Sequence, residues 1–191
     1  MDNKNSIAYL IGKSIYLRLI CKEDINKKYL SWLNDRDVTK YIETGIFPTS
    51  LEDLKSFYKK ISKSKIDVMF AIVTKKGNKH IGNIKLGNIN WVHRFAELGI
   101  MIGDKRYWGK GYGRESCRLV LEYALKRLNL NKVFLGVCVT HSSALKVYKK
   151  IGFKVEGRMR KMFNIDNRYI DKIIMGILRE DFLRNYKKQI R

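Results

Sequence analysis

The sequence predicts a single α/β domain of the α+β kind, a mixed, mostly antiparallel twisted sheet of roughly seven strands flanked by helices. Three observations carry that expectation. Short apolar, β-branched and aromatic runs are separated by turn signals such as Lys75-Lys76-Gly77-Asn78 and Asp166-Asn167. The strand-like segments 97–102 and 132–139 enclose a helical pattern, and strand, helix, strand in succession implies a parallel crossover. Finally, 191 residues that are 45% hydrophobic and 12% aromatic, with one proline, fill one core well and two poorly.

In order along the chain, Ser14-Ile15-Tyr16-Leu17-Arg18-Leu19 alternates apolar and polar side chains, as a half-buried strand does. Residues 1–13 before it read as an N-terminal extension. Gly12-Lys13-Ser14 has the ending of a nucleotide-binding Walker loop, but the earlier glycine such a loop needs is Ile7. Glu23-Asp24 opens a helix with acidic residues in its first turn and Ile25, Tyr29, Leu30 and Leu33 at helical spacing. Asn34-Asp35-Arg36-Asp37 ends it, and residues 38–48 read as a loop with a short helical turn, a wall for a substrate. Ser50 and Asp53 have the spacing of a capping box ahead of a helix over Leu51–Ile61.

The apolar run Val68-Met69-Phe70-Ala71-Ile72-Val73 suits a strand buried on both faces. The turn after it predicts antiparallel pairing with His80–Asn90, and residues 91–94 lead on to strand 97–102. Cys117, Leu119, Val120, Leu121, Tyr123, Ala124, Leu125 and Leu128 then give a helix a broad apolar face, ended by Asn129 and Asn131. Strand 132–139 follows, and a helix from His141-Ser142-Ser143 that stops at Gly152. A hairpin of 153–163 and Arg168–Leu178 closes the sheet, and residues 180–191 form a basic tail with little to bury.

The stretch that organises this plan is Trp108-Gly109-Lys110-Gly111-Tyr112-Gly113. Alternate glycines cannot fill a core; their use is bare backbone. Between a strand and a helix N-terminus they gather unpaired N–H groups and the positive end of the helix dipole, which suits a phosphate. Gly111 follows Lys110 where a P-loop needs Ser or Thr, and the spacing is not the dinucleotide fingerprint.

Lys and Arg number 40 against 18 Asp and Glu, a formal net charge of +22 that attracts polyanions. Codon bias toward Lys, Ile and Asn would give the same spread of charge without a partner. Cys21, Cys117 and Cys138 lack metal-ligand spacing and read as buried thiols in a reducing compartment. Three scattered histidines give no zinc site; His80 and His93 read as surface residues. The start MDNKNS has no signal-peptide pattern and no run reaches membrane-spanning length, so a soluble cytoplasmic protein is expected.

With these motifs in view, the chain resembles the GNAT superfamily of acyl-CoA-dependent N-acetyltransferases. It is most similar to the group that acts on ribosomal-protein N-termini, spermidine and amino sugars of nucleotide sugars. The family's pyrophosphate motif falls on Trp108 to Gly113, with Trp108 in place of Gln or Arg. Its second signature falls on His141-Ser142-Ser143-Ala144-Leu145-Lys146-Val147-Tyr148-Lys149-Lys150-Ile151-Gly152-Phe153, with His141 in place of Asn.

The resemblance implies two central parallel strands that splay apart to admit the pantetheine arm of acetyl-CoA. It assigns the cofactor to Ile100, Met101, Ile102, Trp108, Gly109, Lys110, Gly111, Tyr112, Gly113, Arg114, His141, Ala144 and Lys146. Glu97 matches the family's base and Tyr148 its general acid, while Trp32, Tyr41, Glu43 and His93 would line the acceptor site. Each role has a plain alternative: Glu97 pairing with Arg94, and Tyr148 as a core tyrosine with its hydroxyl at the edge.

The activity implied is direct acetyl transfer to a primary amine in a ternary complex. The charge favours an amino sugar nucleotide or a protein N-terminus as acceptor; spermidine is the alternative, served by a locally acidic site at Glu43, Glu52 or Asp53. A reading from another class is a non-catalytic basic module docking on RNA, though the chain lacks a clustered aromatic and basic platform. Nucleic acid is expected only through proximity to the ribosome, no metal is expected, and a homodimer is compatible with the sequence.

Overall fold

The computed structural model describes residues 7–190, with side chains through Arg184. Of the N-terminal extension, residues 1–6 lie outside the described residues, as does Arg191. The chain forms two compact units, one of residues up to Gly87 with Gly99–Val120, the other of Asn88–Leu98 with residues from Leu121 onward.

In the first unit β1 (Leu10–Ile11) and β2 (Ile15–Leu19) pair antiparallel. A 3₁₀ turn at Lys22–Asp24 then precedes α1 (Lys27–Leu33) and α2 (Arg36–Thr39), and another at Glu43–Gly45 precedes α3 (Leu51–Ile61). The helix predicted from Glu23-Asp24 starts later, because Asn26 Oδ1 caps it by accepting from the Lys28 and Tyr29 amides. The capping box at α3 is present, with Ser50 Oγ accepting from the Asp53 amide and Asp53 from the Ser50 amide. β3 (Val68–Thr74) lies between β2 and β4 (His80–Asn90), antiparallel to both.

β5 (Phe95–Ile102) follows, and its end Gly99–Ile102 belongs to the first unit. A 3₁₀ turn at Lys105–Tyr107 and the glycine turn then lead into α4 (Tyr112–Glu122), which continues as a π-helical turn at Tyr123–Arg127. Ile15, Leu17, Phe70, Ile72, Ile81, Ile84 and Leu86 are fully buried here. Beside them Ile20, Tyr29, Trp32, Leu33, Leu54, Ile61 and Met69 form an apolar cluster.

In the second unit Phe95, Ala96 and Glu97 of β5 pair parallel with Lys132, Val133 and Phe134 of β6 (Lys132–Cys138), the crossover expected. That ladder takes in three of β5's eight residues. α5 (Ser142–Ile151) ends at Gly152, whose φ of 114° is open to glycine at little cost. β7 (Lys154–Ile165) and β8 (Arg168–Leu178) turn at Asp166 and Asn167, both at positive φ as a tight hairpin requires. Residues read as a tail form α6 (Arg179–Ile190), where Phe182 is buried and Asp181 binds Lys154 at 2.7 Å. Among the described residues the sheet has eight strands, ordered β1-β2-β3-β4-β5-β6-β8-β7, one more than expected because the two-residue β1 has no pattern to betray it.

Candidate active site

Ile100, Met101 and Ile102 end β5 half-buried, and the two residues after them are tied down. The Gly103 and Asp104 amides both donate to the Ile81 carbonyl, at 2.9 and 3.1 Å, the shared acceptor of a β-bulge. Asp104 caps the 3₁₀ turn by accepting from the Arg106 amide and holds the Arg106 guanidinium at 2.7 Å. That contact keeps its carboxyl below the usual carboxylate range. Trp108 Nε1 donates to the Ile102 carbonyl at 2.7 Å, so the indole that stands where the family has Gln or Arg ties the turn to its strand.

Gly109 and Gly111 have φ of 70° and 84°, and a Cβ on either would meet nothing within 4 Å. Backbone conformation, not crowding, requires glycine at both. The first bond of α4 runs from the Glu115 amide to the Gly111 carbonyl, so Tyr112, Gly113 and Arg114 lie in the first turn, whose amides have no helical acceptor. At Gly113 a Cβ would lie 3.9 Å from Ile100 and Ile102, which marks how closely helix and strand approach. Lys110 Nζ lies 5.6 Å from the Tyr107 ring centre. A diphosphate fits this turn: open backbone, positive dipole end and cations at Lys110 and Arg114.

The same unit holds a buried polar cluster that sequence reasoning missed. Arg18, expected on an outward face, is 5% exposed, and its guanidinium donates to both carboxylate oxygens of Asp24 at 2.6 and 2.7 Å. Burial works against the charge of Asp24, but the Arg18 guanidinium holds its carboxyl below the ordinary range. His80, expected at the surface, is likewise buried: Nδ1 is 3.4 Å from Asp24 Oδ1, and Nε2 is 3.0 Å from both the Gly82 carbonyl and Asn83 Oδ1. Burial lowers its pKa. Cys21, expected to be buried, is half-buried, its amide donating to Asp24 Oδ2 at 2.9 Å and its thiol pushed up to about 11 by burial.

Of the expected acceptor residues in this unit, Trp32 is in the core. Its ring covers Gly103, where a Cβ would fall 2.1 Å from it, and lies edge-on to His80 at 5.1 Å. Tyr41 is half-buried, and Glu43 is exposed and opens a 3₁₀ turn.

In the second unit Glu97 is half-buried and accepts from Asn88 Nδ2 at 3.4 Å. The Arg94 guanidinium donates to the Asn129 carbonyl. His93 is exposed in the β4–β5 turn, its amide donating to Asn90 Oδ1 at 2.7 Å. His141 occupies the position before α5, with burial lowering its pKa. Ala144 and Tyr148 are half-buried and Lys146 is exposed; the Tyr148 ring meets Phe153 edge-on at 5.7 Å. Cys117, in the first unit, and Cys138 are buried. Among the described residues no group of His, Cys, Asp and Glu could hold a metal, and no helix is long and apolar enough to cross a membrane.

The family model for the acetyltransferase (GNAT) domain matches residues 14–154. The chain is 33% identical to the spermidine N(1)-acetyltransferase of Escherichia coli K12 over 175 residues, 91% of each chain. It is 34% identical to the Vibrio cholerae spermidine N(1)-acetyltransferase over 150 residues, 78% of this chain and 85% of the relative. The crystal structure of a V. cholerae spermidine N-acetyltransferase in complex with CoA and spermine superposes with a TM-score of 0.82 at 30% identity, covering 89% of this chain and 98% of that one. The chain belongs to the GNAT family of acetyl-CoA-dependent N-acetyltransferases.

Proposed function

We propose that the chain acetylates a primary amine of a polyamine such as spermidine, the amine attacking the thioester of acetyl-CoA directly while both are bound. The observation that carries the donor side is the turn, with Gly109 and Gly111 at positive φ and open space where their side chains would stand. Acetyl-CoA supplies an activated acyl group. Amides of the turn and first helical turn, with Lys110 and Arg114, hold its diphosphate, and Trp108 fixes the turn. The backbone of Ile100, Met101 and Ile102 pairs with the pantetheine amides as an added strand would.

The Met101 N–H donates to the thioester oxygen as negative charge develops there. Glu97 takes the proton that the amine must lose, directly or through water, and Tyr148 returns one to the departing thiolate. His141, Ala144 and Lys146 complete the cofactor's contacts. Most of the rate comes from holding amine and thioester together.

Similarity to spermidine acetyltransferases along 91% of the chain supports the polyamine over the anionic acceptors expected from charge alone. A net charge of +22 repels a polycation at long range. Between Asp35 and Asp53, however, five carboxylates (Asp35, Asp37, Glu43, Glu52, Asp53) outnumber two cations (Arg36, Lys40), and this acidic stretch includes the wall first read for the substrate. A thiol-release assay with acetyl-CoA against spermidine, nucleotide-linked amino sugars and ribosomal N-terminal peptides tests the reading. Turnover of spermidine above the others is expected. Turnover of the others alone removes the polyamine and leaves the reaction class.

A further inference from the structure

We propose that the buried assembly of Arg18, Asp24, His80 and Asn83, with Gly82, is the positioning device for the Met101 peptide, acting on acetyl transfer through the backbone it holds and touching neither substrate. The inference rests on the reading above that places the thioester oxygen at the Met101 amide.

The start of β4 and the exit of β5 are locked together at three points. Gly82 lies so close that a Cβ there would fall 2.2 Å from the Met101 carbonyl oxygen and 2.8 Å from Ile102 Cα. Ile81 accepts from both the Gly103 and Asp104 amides. Trp32, which leans on His80, covers Gly103 and blocks any movement of that residue toward α1. A displacement of residues 80–83 therefore carries residues 101–104 with it.

What fixes 80–83 is the cluster. His80 Nε2 donates to Gly82 and Asn83 while the His80 carbonyl accepts from Lys28 Nζ at 2.7 Å, so ring and main chain are both held. On the other side of the ring stands Asp24, itself fixed by the two-pronged Arg18 contact and by the Cys21 amide. Asn83 is 3% exposed and its Nδ2 has no partner among the described residues. Retaining an unsatisfied buried amide costs stability, which is reasonable where Oδ1 has a task that an apolar residue could not perform.

The test separates positioning from general stability by using the two amide mimics of imidazole. His80→Gln keeps a donor near the Nε2 position, and His80→Asn keeps one near Nδ1. Turnover, the KM for acetyl-CoA, CoA affinity by calorimetry and the Met101 amide resonance are measured for both and for Gly82→Ala. The expected result is a loss of about 10²-fold in kcat for His80→Asn and Gly82→Ala, the scale of an ångström-sized misplacement. Alongside it the Met101 resonance shifts, CoA affinity is kept within about twofold and kcat recovers in His80→Gln. Equal losses in both His80 variants, or wild-type kcat in a folded Gly82→Ala, overturn the proposal. Failure of the acetyl-transfer reading itself would show in the wild-type protein, before any variant is compared.

Discussion

The glycine turn and the Arg18–Asp24–His80 cluster lie in the same unit and treat polarity in opposite ways. The turn keeps its amides open, with side-chain space empty at Gly109 and Gly111, so that its charge balance is completed from outside. The cluster has closed its balance internally: guanidinium and carboxylate meet two-pronged at 2.6 and 2.7 Å, at 5% and 4% exposure. Damage to the first should therefore be read in ligand affinity, and damage to the second in stability and in the placement of what it supports.

The largest expected effect tests the closed side. Asp24→Ala leaves the Arg18 charge buried and uncompensated, which costs about 3–5 kcal/mol. Urea denaturation should show the loss as a lower midpoint. Replacing both partners at once, Arg18→Met with Asp24→Leu, should recover most of it, because the desolvation cost of the charges disappears with them. A single variant as stable as the wild type would mean the pair is not closed, and the contrast fails.

The open side is tested by Gly111→Ala and Gly113→Ala. At φ of 84° the first variant meets no atoms and suffers only backbone strain, on the order of 1–3 kcal/mol. Gly113 lies in the first turn of α4 with ordinary 3.9 Å contacts, so alanine there is tolerated, and helix propensity favours it by up to about 1 kcal/mol. Gly111→Ala should weaken CoA by about tenfold, or about 1.4 kcal/mol, measured by calorimetry, while Gly113→Ala, whose Cβ faces Ile100 and Ile102, keeps it within about twofold. An undiminished affinity in Gly111→Ala would show that the diphosphate does not lie on this backbone.

The two regions also differ in how far the sequence revealed them. The turn was legible because its function needs glycine at fixed spacing, and the bounds of α3, β4 and β8 were legible because caps, alternation and turn residues act locally. The cluster was not. Arg18 sits at a polar position of an alternating strand, and it is Asp24 of the 3₁₀ turn that takes its guanidinium inside. Asp24 has the look of a helix-start acid, and His80 follows a turn at a strand's first position, where solvent is the usual neighbour. Trp32, assigned to the acceptor site by resemblance, packs with Tyr29 and Leu33 in the apolar cluster. Contacts between residues distant in sequence, such as His80 with Asp24, leave no periodic trace.

The smallest effect uses protons. Burial holds His80 neutral against the pull of Asp24, with Arg18 and Lys28 also opposing its charge and Asn83 favouring it. An unfolded imidazole takes up a proton near pH 6.5, so below that pH the unfolded chain binds more protons and folded stability falls. His141, pushed the same way by burial, adds to the slope. The melting temperature should therefore drop between pH 7 and 5, and drop less steeply in His80→Gln. An unchanged slope in that variant would return His80 to the solvent. The turn should take no part in this range, because Arg106 holds the Asp104 carboxyl below the usual carboxylate range and its contribution is lost only at lower pH. Mild acid thus loosens the closed cluster while the cap of the open turn stays charged.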